Sequence, residues 1–375
     1  MNKINIFSFF SGAGFLDLGF ELTHKYDVVY VNEYHKPFND IYRYARASMG
    51  IPEPEYGHHI ESVIDLLVPR KLEILNNLIS KSKAEHITGF IGGPPCPDFS
   101  VAGKNKGKDG ENGMLSGTYV SLICETKPHF FLFENVKGLY RTSKHREFFE
   151  SLKQKLSDAG YVMTEQLVNA IEYGAPQNRE RIILIGFHLT LLRQLHITPK
   201  CVENAFPWEK FKSFSRAILD TNWPTQNEFE SDKSTSMPVD VVKELTVQYW
   251  WDKNDVMNHP NAKMYFQPKA GLAKFLTIKE GDDSKKCYKR LHRWRYSPTA
   301  AYGNNEVHVH PYKARRISVS EALAIQSLPK EFILPTDITL TDAFKTIGNG
   351  VPYLLAKGVA STIYDFIKTY CDESE

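Results

Sequence analysis

The sequence predicts an α/β protein: an open sheet whose regular part is interrupted by a second, less regular region. Three observations carry that expectation. Over residues 1–188, short apolar runs alternate with amphipathic stretches, the pattern of strands joined by crossover helices. Glycines and prolines follow two of those runs directly, at Ser11-Gly12-Ala13-Gly14 and at Gly92-Gly93-Pro94-Pro95, where an open sheet carries its ligand loops. The alternation then lapses from about Leu189 to Pro311 and returns as helix, and 375 residues exceed the ~250–300 at which one core stops growing. Two domains, or one domain with a large insertion, are expected.

The elements follow in order. Ile4-Asn5-Ile6-Phe7-Ser8-Phe9-Phe10 reads as a buried strand, and the glycine turn after it leads into a helix from about Leu16 to Thr23. Strand, glycine turn and helix start bring backbone close to a ligand, although a tight connection alone can look the same. The second strand, Asp27 to Val31, ends at Asn32-Glu33-Tyr34, and an acidic residue at that tip is the usual partner of ribose hydroxyls. A ribose-bearing cofactor fits both features.

Thr88-Gly89-Phe90-Ile91 reads as a strand end, and the glycines and prolines that follow stop the ladder. Cys96 therefore stands on a rigid loop at the carboxyl edge, placed like a nucleophile; a small buried hydrophobe in a tight turn is the other reading. The long run Val101 to Gly113 mixes glycines with Lys104, Lys106 and Lys108 and has no apolar period, which suits a basic lid beside Cys96. A helix from about Leu115 to Lys127 precedes the strand His129 to Phe133. Glu134 follows at the same edge as Cys96, either as an acid or as a helix-capping carboxylate. Arg179 and Arg181 open the strand Arg181 to Phe187 and point the same way if extended, to clamp a phosphate or a planar base, or to meet solvent.

The middle stretch is rich in aromatic and basic residues, most densely at Lys289-Arg290-Leu291-His292-Arg293-Trp294-Arg295-Tyr296. From Asn261 to Arg316 there are 13 Lys or Arg against 4 Asp or Glu, so a net charge of +2 hides a basic segment and leaves −7 elsewhere. Such interleaving suits a nucleic-acid backbone with base edges, with Arg293 and Arg295 as candidate contacts; solvated surface is the plainer alternative. Ser318-Val319-Ser320-Glu321 reads as a helix cap, and a last helix runs to about Tyr370. Five scattered cysteines with no C-x-x-C pair resemble neither a disulfide framework nor a metal site. No apolar run approaches the ~20 residues of a membrane span, and the chain enters its first strand without a leader. A cytoplasmic, soluble protein is expected.

The ordered set Phe7-Ser8-Phe9-Phe10-Ser11-Gly12-Ala13-Gly14, Pro94-Pro95-Cys96, Glu134-Asn135-Val136, Gln177-Asn178-Arg179-Glu180-Arg181, Arg315 with Glu321, and Gly348-Asn349-Gly350-Val351-Pro352 resembles the DNA (cytosine-5)-methyltransferases, most closely those of bacterial restriction–modification systems. The resemblance implies a Rossmann-like class I S-adenosylmethionine-dependent sheet with a smaller inserted target-recognition domain. Residues 1–188, completed by 338–375, would form the catalytic and cofactor-binding domain, and 189–337 the recognition domain. It further implies that Cys96 adds to carbon 6 of a cytosine flipped out of double-stranded DNA, with Glu134 at ring nitrogen 3 and Arg179 and Arg181 beside the base. Ser100 would meet a phosphate near that base.

For S-adenosylmethionine the matching positions are Phe10, Ala13, Gly14, Phe15, Glu33, Tyr34, His59, Ile60, Gly93, Leu115, Asn349 and Val351. Two depart from the family's pattern: Phe15 stands for a glycine and His59 for an adenine-binding aspartate, with Glu61 as a substitute. Pro97-Asp98 also replaces the usual residues after the cysteine. A monomer is the default, and a cognate restriction endonuclease would act separately. An RNA-modifying branch carries a Cys-Phe-Thr tripeptide that this chain lacks; a catalytically silent DNA-binding relative is the remaining alternative.

Overall fold

The computed structural model describes residues 3–95, 111–140, 142–268, 272–302 and 308–372. The first half runs β1 (Ile4–Phe9), α1 (Phe15–Glu21), β2 (Tyr26–Asn32), α2 (Lys36–Ser48), a two-residue β3 (His58–His59), α3 (Pro69–Glu85), β4 (Thr88–Gly92), α4 (Glu111–Thr126), β5 (Phe130–Val136), α5 (Ser143–Asp158), β6 (Tyr161–Asn169) and β7 (Glu180–His188). These strands form one seven-stranded sheet in the order β3-β2-β1-β4-β5-β7-β6. All neighbours pair in parallel except β7, which is antiparallel to both β5 and β6. The order reverses direction at β1, between β2 and β4, and an open sheet binds ligands outside the carboxyl ends of the strands at such a switch.

Strand β1 is buried along its whole length, as its unbroken apolar character requires of a central parallel strand. One face of the sheet is covered by Leu75 and Ile79 of α3, Tyr119 and Ile123 of α4, and Phe149 and Leu152 of α5. The other is covered by Leu16 and Phe20 of α1 and by the last helix, α12 (Tyr353–Asp372).

After β7 come α6 (Leu189–Gln194) and α7 (Pro199–Ala205), then α8 (Val247–Lys253), α9 (Leu272–Thr277), a two-stranded ribbon of β8 (Lys289–Arg290) and β9 (His308–Val309), α10 (Val319–Ile325) and α11 (Leu340–Asn349). Within the expected recognition region, α6 and α7 pack on the sheet's own core through Leu191, Leu192 and Val202. Helix α10 joins Trp250 and Trp251 of α8 in a core shared with Phe15, Leu18 and Phe38. The irregular stretch therefore starts only after α7 and closes before α10.

Two details depart from the sequence expectation. Helix α4 begins at Glu111, so residues 111–113 of the expected lid are its first turn. Strand β5 continues to Val136 because β7 pairs with it to its end, which places Glu134 inside a strand and not beyond it. The Ser318 cap forms as read, with its hydroxyl accepting from the Glu321 N–H and the Glu321 carboxylate accepting from the Ser318 N–H.

Candidate active site

At the switch point, the turn after β1 holds three residues in the left-handed region, Phe10, Gly12 and Gly14. The Gly12 N–H donates to Glu33 Oε2 at 2.8 Å, and the His35 N–H donates to Oε1 at 2.7 Å. Glu33 thus bolts the tip of β2 to the turn. Burial raises its pKa, opposed by these two backbone bonds. Each carboxylate oxygen keeps a lone pair for another donor.

Beneath the turn lies a network that the sequence did not suggest. Ser8 and Tyr42 donate to the two oxygens of Asp17 at 2.8 and 2.9 Å, and Arg46 donates to the Gly14 carbonyl at 3.0 Å and to Glu21 at 2.8 Å. Its guanidinium lies 3.6 Å from the centre of the Tyr42 ring. The partners lie on different elements, so only the fold brings them together.

Phe15, where the family pattern has a glycine, does not enter the turn. Its ring is buried edge-on to Phe332 at 5.2 Å and occupies the space over Gly350, where a Cβ would overlap it. Ala13 is buried in the same core. Two hydroxyls are left without a partner here: Ser11 Oγ in the turn itself and Thr346 Oγ1 from α11 are buried and unbonded, and Thr346 Oγ1 lies 4.0 Å from where a Cβ on Gly12 would be. Thr346 and Asn349 are three apart on α11 and so share a face. Thr346 is a site candidate that sequence reasoning passed over, although that spacing was legible.

His59, at the end of β3, stacks on Tyr30 with ring centres 4.2 Å apart, and its Nε2 meets the Tyr56 carbonyl at 2.9 Å. A carbonyl only accepts, so Nε2 carries the proton, and in the neutral ring Nδ1 is left as an acceptor. Glu61 lies 4.0 Å from Nδ1 and is paired with Lys71. Tyr34 and Ile60 expose 72% and 53% of their surface at this same edge, unusual for large apolar groups. Leu115 is half-buried on α4, Asn349 is exposed, and Val351 is buried.

The second cluster lies on β5 and β7, beyond β4 in the sheet order. Antiparallel register sets Val136 opposite Arg181, so Glu134 is the diagonal neighbour of Arg181 on the same face. Arg181 Nε donates to Glu134 Oε1 at 2.7 Å, and both side chains are about nine-tenths buried. Gly93 lies against the other oxygen, where a Cβ would stand 2.6 Å from Glu134 Oε2. Cys96, Ser100, Lys104, Lys106 and Lys108 lie outside the described residues.

Arg179 does not join this cluster as a clamp. It is fully buried, and its guanidinium donates to the carbonyls of Ala300 at 2.7 Å and Gly348 at 2.8 Å. Burial and the neighbouring Arg181 cation pull it well below its ordinary pKa. It is a strut from the start of the strand to one segment within the insertion, at Ala300, and one that follows it, at Gly348. Gln177 does the same work beside it, accepting from the Ala300 N–H at 2.9 Å and donating to Gln326.

Of the expected DNA contacts, Arg293 is buried and Arg295 is half-buried. Arg293 pairs with Glu280 through Nε at 2.8 Å and Nη2 at 3.0 Å, lies over the Tyr312 ring and is buried. Arg295 donates to Asp283 at 2.7 Å. Both cations are thus paired with carboxylates of the insertion, Arg293 with Glu280 and Arg295 with Asp283. Between the insertion and the sheet a cleft of about 410 Å³ opens beside Arg181, lined also by Lys137, Asn178, Glu180, Lys289 and Thr299.

Against known proteins, residues 4–365 match the family described as C-5 cytosine-specific DNA methylase. The Type II methyltransferase M.NmeDI of Neisseria meningitidis serogroup C is 58% identical over the whole of this chain and 86% of its own length. The Type II methyltransferase M.FnuDI of Fusobacterium nucleatum is 27% identical over 96% of each. Among solved structures, the Entamoeba histolytica methyltransferase EhMeth shares the fold, with a TM-score of 0.59 at 14% identity over 97% of this chain and 99% of that one.

Proposed function

The chain belongs to the C-5 cytosine-specific DNA methylases, and from that premise we propose that Cys96, Glu134 and Arg181 carry its methyl transfer to cytosine. The observation that supports this reading is the buried Glu134–Arg181 pair pressed against Gly93. Cys96 follows Gly93 by three residues, so chain connectivity alone keeps it within about 11 Å. Ring position 6 of cytosine is electron-poor. A Cys96 thiolate adds there, the ring becomes nucleophilic at carbon 5, and negative charge develops toward nitrogen 3 and the carbonyl oxygen. Glu134 holds a proton at nitrogen 3, and Arg181, fixed by the same carboxylate, faces the carbonyl oxygen. After methyl transfer a base takes the proton from carbon 5, and that electron pair re-forms the ring double bond as the carbon–sulfur bond breaks and the Cys96 thiolate is expelled. Because the attacked atom is inaccessible in a stacked duplex, the substrate is a cytosine flipped from double-stranded DNA.

The methyl donor is S-adenosylmethionine, which supplies an electrophilic methyl group. The orphaned Ser11 and Thr346 hydroxyls and the left-handed turn fit it. Glu33 would accept from the ribose, Tyr34 and Ile60 would cover the adenine, and His59 Nδ1 would accept from the adenine amino group. Gly14, Gly93, Leu115, Asn349 and Val351 complete the wall, and Phe10 and Ala13 shape the turn. Residues after α7 and before α10 form the recognition part. Similarity to Type II methyltransferases supports a restriction–modification role with a separate nuclease, and a cytoplasmic monomer is the simplest form for it. Among the described residues no helix is long and apolar enough to cross a membrane.

The test is covalent trapping. A duplex with 5-fluorocytosine at the target blocks loss of the carbon-5 substituent, so with S-adenosylmethionine the reading expects a denaturant-stable complex whose DNA-bearing peptide contains Cys96. A complex mapped to any other residue overturns the assignment.

A further inference from the structure

The basic run in the insertion is mostly structural, and the exception is informative. Arg290 is fully buried, donates to the carbonyls of Ile278 at 2.8 Å and Lys313 at 3.1 Å and also to those of Phe275 and His310, and lies 3.9 Å from the Phe229 ring centre. Arg293 and Arg295 are held by Glu280 and Asp283. Lys289 begins the same run and is only half-buried. Among the described residues its ammonium has neither an ion pair nor a hydrogen bond. It lines the cleft beside Arg181.

The other cations of that cleft are answered. Arg181 is bonded to Glu134, and Lys137 to Glu180 at 2.7 Å. Glu180, the cleft's lining carboxylate, is already engaged by Lys137 and Arg216. Strand β8 pairs with β9 through Lys289 itself, opposite His308, which fixes the backbone from which the side chain projects. A cation held on a fixed strand, lining an open cleft and without a carboxylate partner among the described residues, suits a diffuse anion brought by the substrate.

We propose that Lys289 is the insertion's contact to the DNA backbone, binding a phosphate beside the nucleotide that Arg181 and Glu134 receive. The proposal rests on the reading of the site as a DNA methylation centre. It assigns Lys289 to positioning and affinity and not to sequence choice, since a phosphate contact carries no base information.

The test is the salt dependence of binding to a 30-base-pair duplex by the full chain, comparing wild type with Lys289→Met, Lys289→Arg and, as a charge-matched control, Lys286→Met on an exposed neighbour. Lys289→Met is expected to weaken binding about tenfold near 0.1 M salt. The slope of log affinity against log salt should become shallower by about 0.9. Its KM for DNA should rise with kcat within about twofold, because the contact is made equally in ground and transition states. Lys289→Arg should restore the slope, and Lys286→Met should leave it as in wild type. A wild-type slope in Lys289→Met, or an equal loss in Lys286→Met, overturns the proposal. Methyl transfer by wild type is measured in the same preparation, and its absence would count against the enzymatic reading alone, because the slope is read from binding.

Discussion

Gly93→Ala isolates the geometry of the proposed centre. A Cβ at residue 93 would stand 2.6 Å from Glu134 Oε2, whereas ordinary contact begins at 3.4 Å. The carboxylate must retreat by roughly 0.8 Å, the shortfall between those two distances. Its other oxygen is bonded to Arg181 at 2.7 Å, so the retreat stretches or turns that pair. Misplacement of a catalytic group by about 1 Å costs on the order of a hundredfold in rate. Folding should be little affected, because only the end of a flexible side chain moves and alanine reduces the freedom of the unfolded chain by about 0.4–1 kcal/mol. We expect kcat, measured with radiolabelled S-adenosylmethionine and saturating DNA, to fall about a hundredfold with the melting temperature within a few degrees of wild type. In a Glu134→Gln background, Gly93→Ala should add little, since both act on one group. A kcat within threefold of wild type would refute the packing argument, and an undiminished effect in the Glu134→Gln background would assign Gly93 to the cofactor wall alone.

Two further outcomes are expected. Arg179→Met leaves the Ala300 and Gly348 carbonyls buried without their donor, so urea denaturation should show a loss of about 2–5 kcal/mol, whereas Arg181→Met should lose activity with a smaller change in stability; unchanged stability in Arg179→Met would return that residue to the base-binding cluster. Burial lowers the pKa of His129 and His292 to about 4 and of His308 to about 3, against 6.5 when exposed. Folded values below the unfolded one mean that the unfolded chain takes up protons first as pH falls below about 6.5, so stability should drop between about pH 6.5 and 4, by up to about 1.4 kcal/mol per pH unit for each histidine. Denaturation at pH 7.5, 6 and 5 checks this, and a flat profile would show that these rings are not held neutral.

Much of the catalytic half was legible because its signals are local. An apolar run followed by glycines marks β1 and its turn, and a carboxylate at the end of an apolar strand marks Glu33. The Glu134–Arg181 pairing needed only the register of β5 against β7, although the sequence does not announce that β7 runs antiparallel. What was not legible depends on partners far away in the chain. Arg179 and Arg181 look equivalent as neighbours in an extended stretch, yet one meets carbonyls more than a hundred residues later and the other meets Glu134. The aromatic and basic run in the insertion resembles a nucleic-acid face until Glu280 and Asp283 are seen to claim its arginines. Phe15 reads as a damaged cofactor turn because the compensating space above Gly350 lies at the other end of the sequence.

The central claim is that this chain methylates cytosine through Cys96 in concert with Glu134. Its most direct test is to incubate wild type and Cys96→Ser with S-adenosylmethionine and unmethylated genomic DNA, and to map 5-methylcytosine by bisulfite sequencing. The account predicts methylation confined to one short motif with wild type and none with Cys96→Ser, because an alcohol is a far poorer nucleophile than a thiolate. Equal methylation by the two proteins, or none by wild type under conditions where it binds both cofactor and DNA, would contradict it.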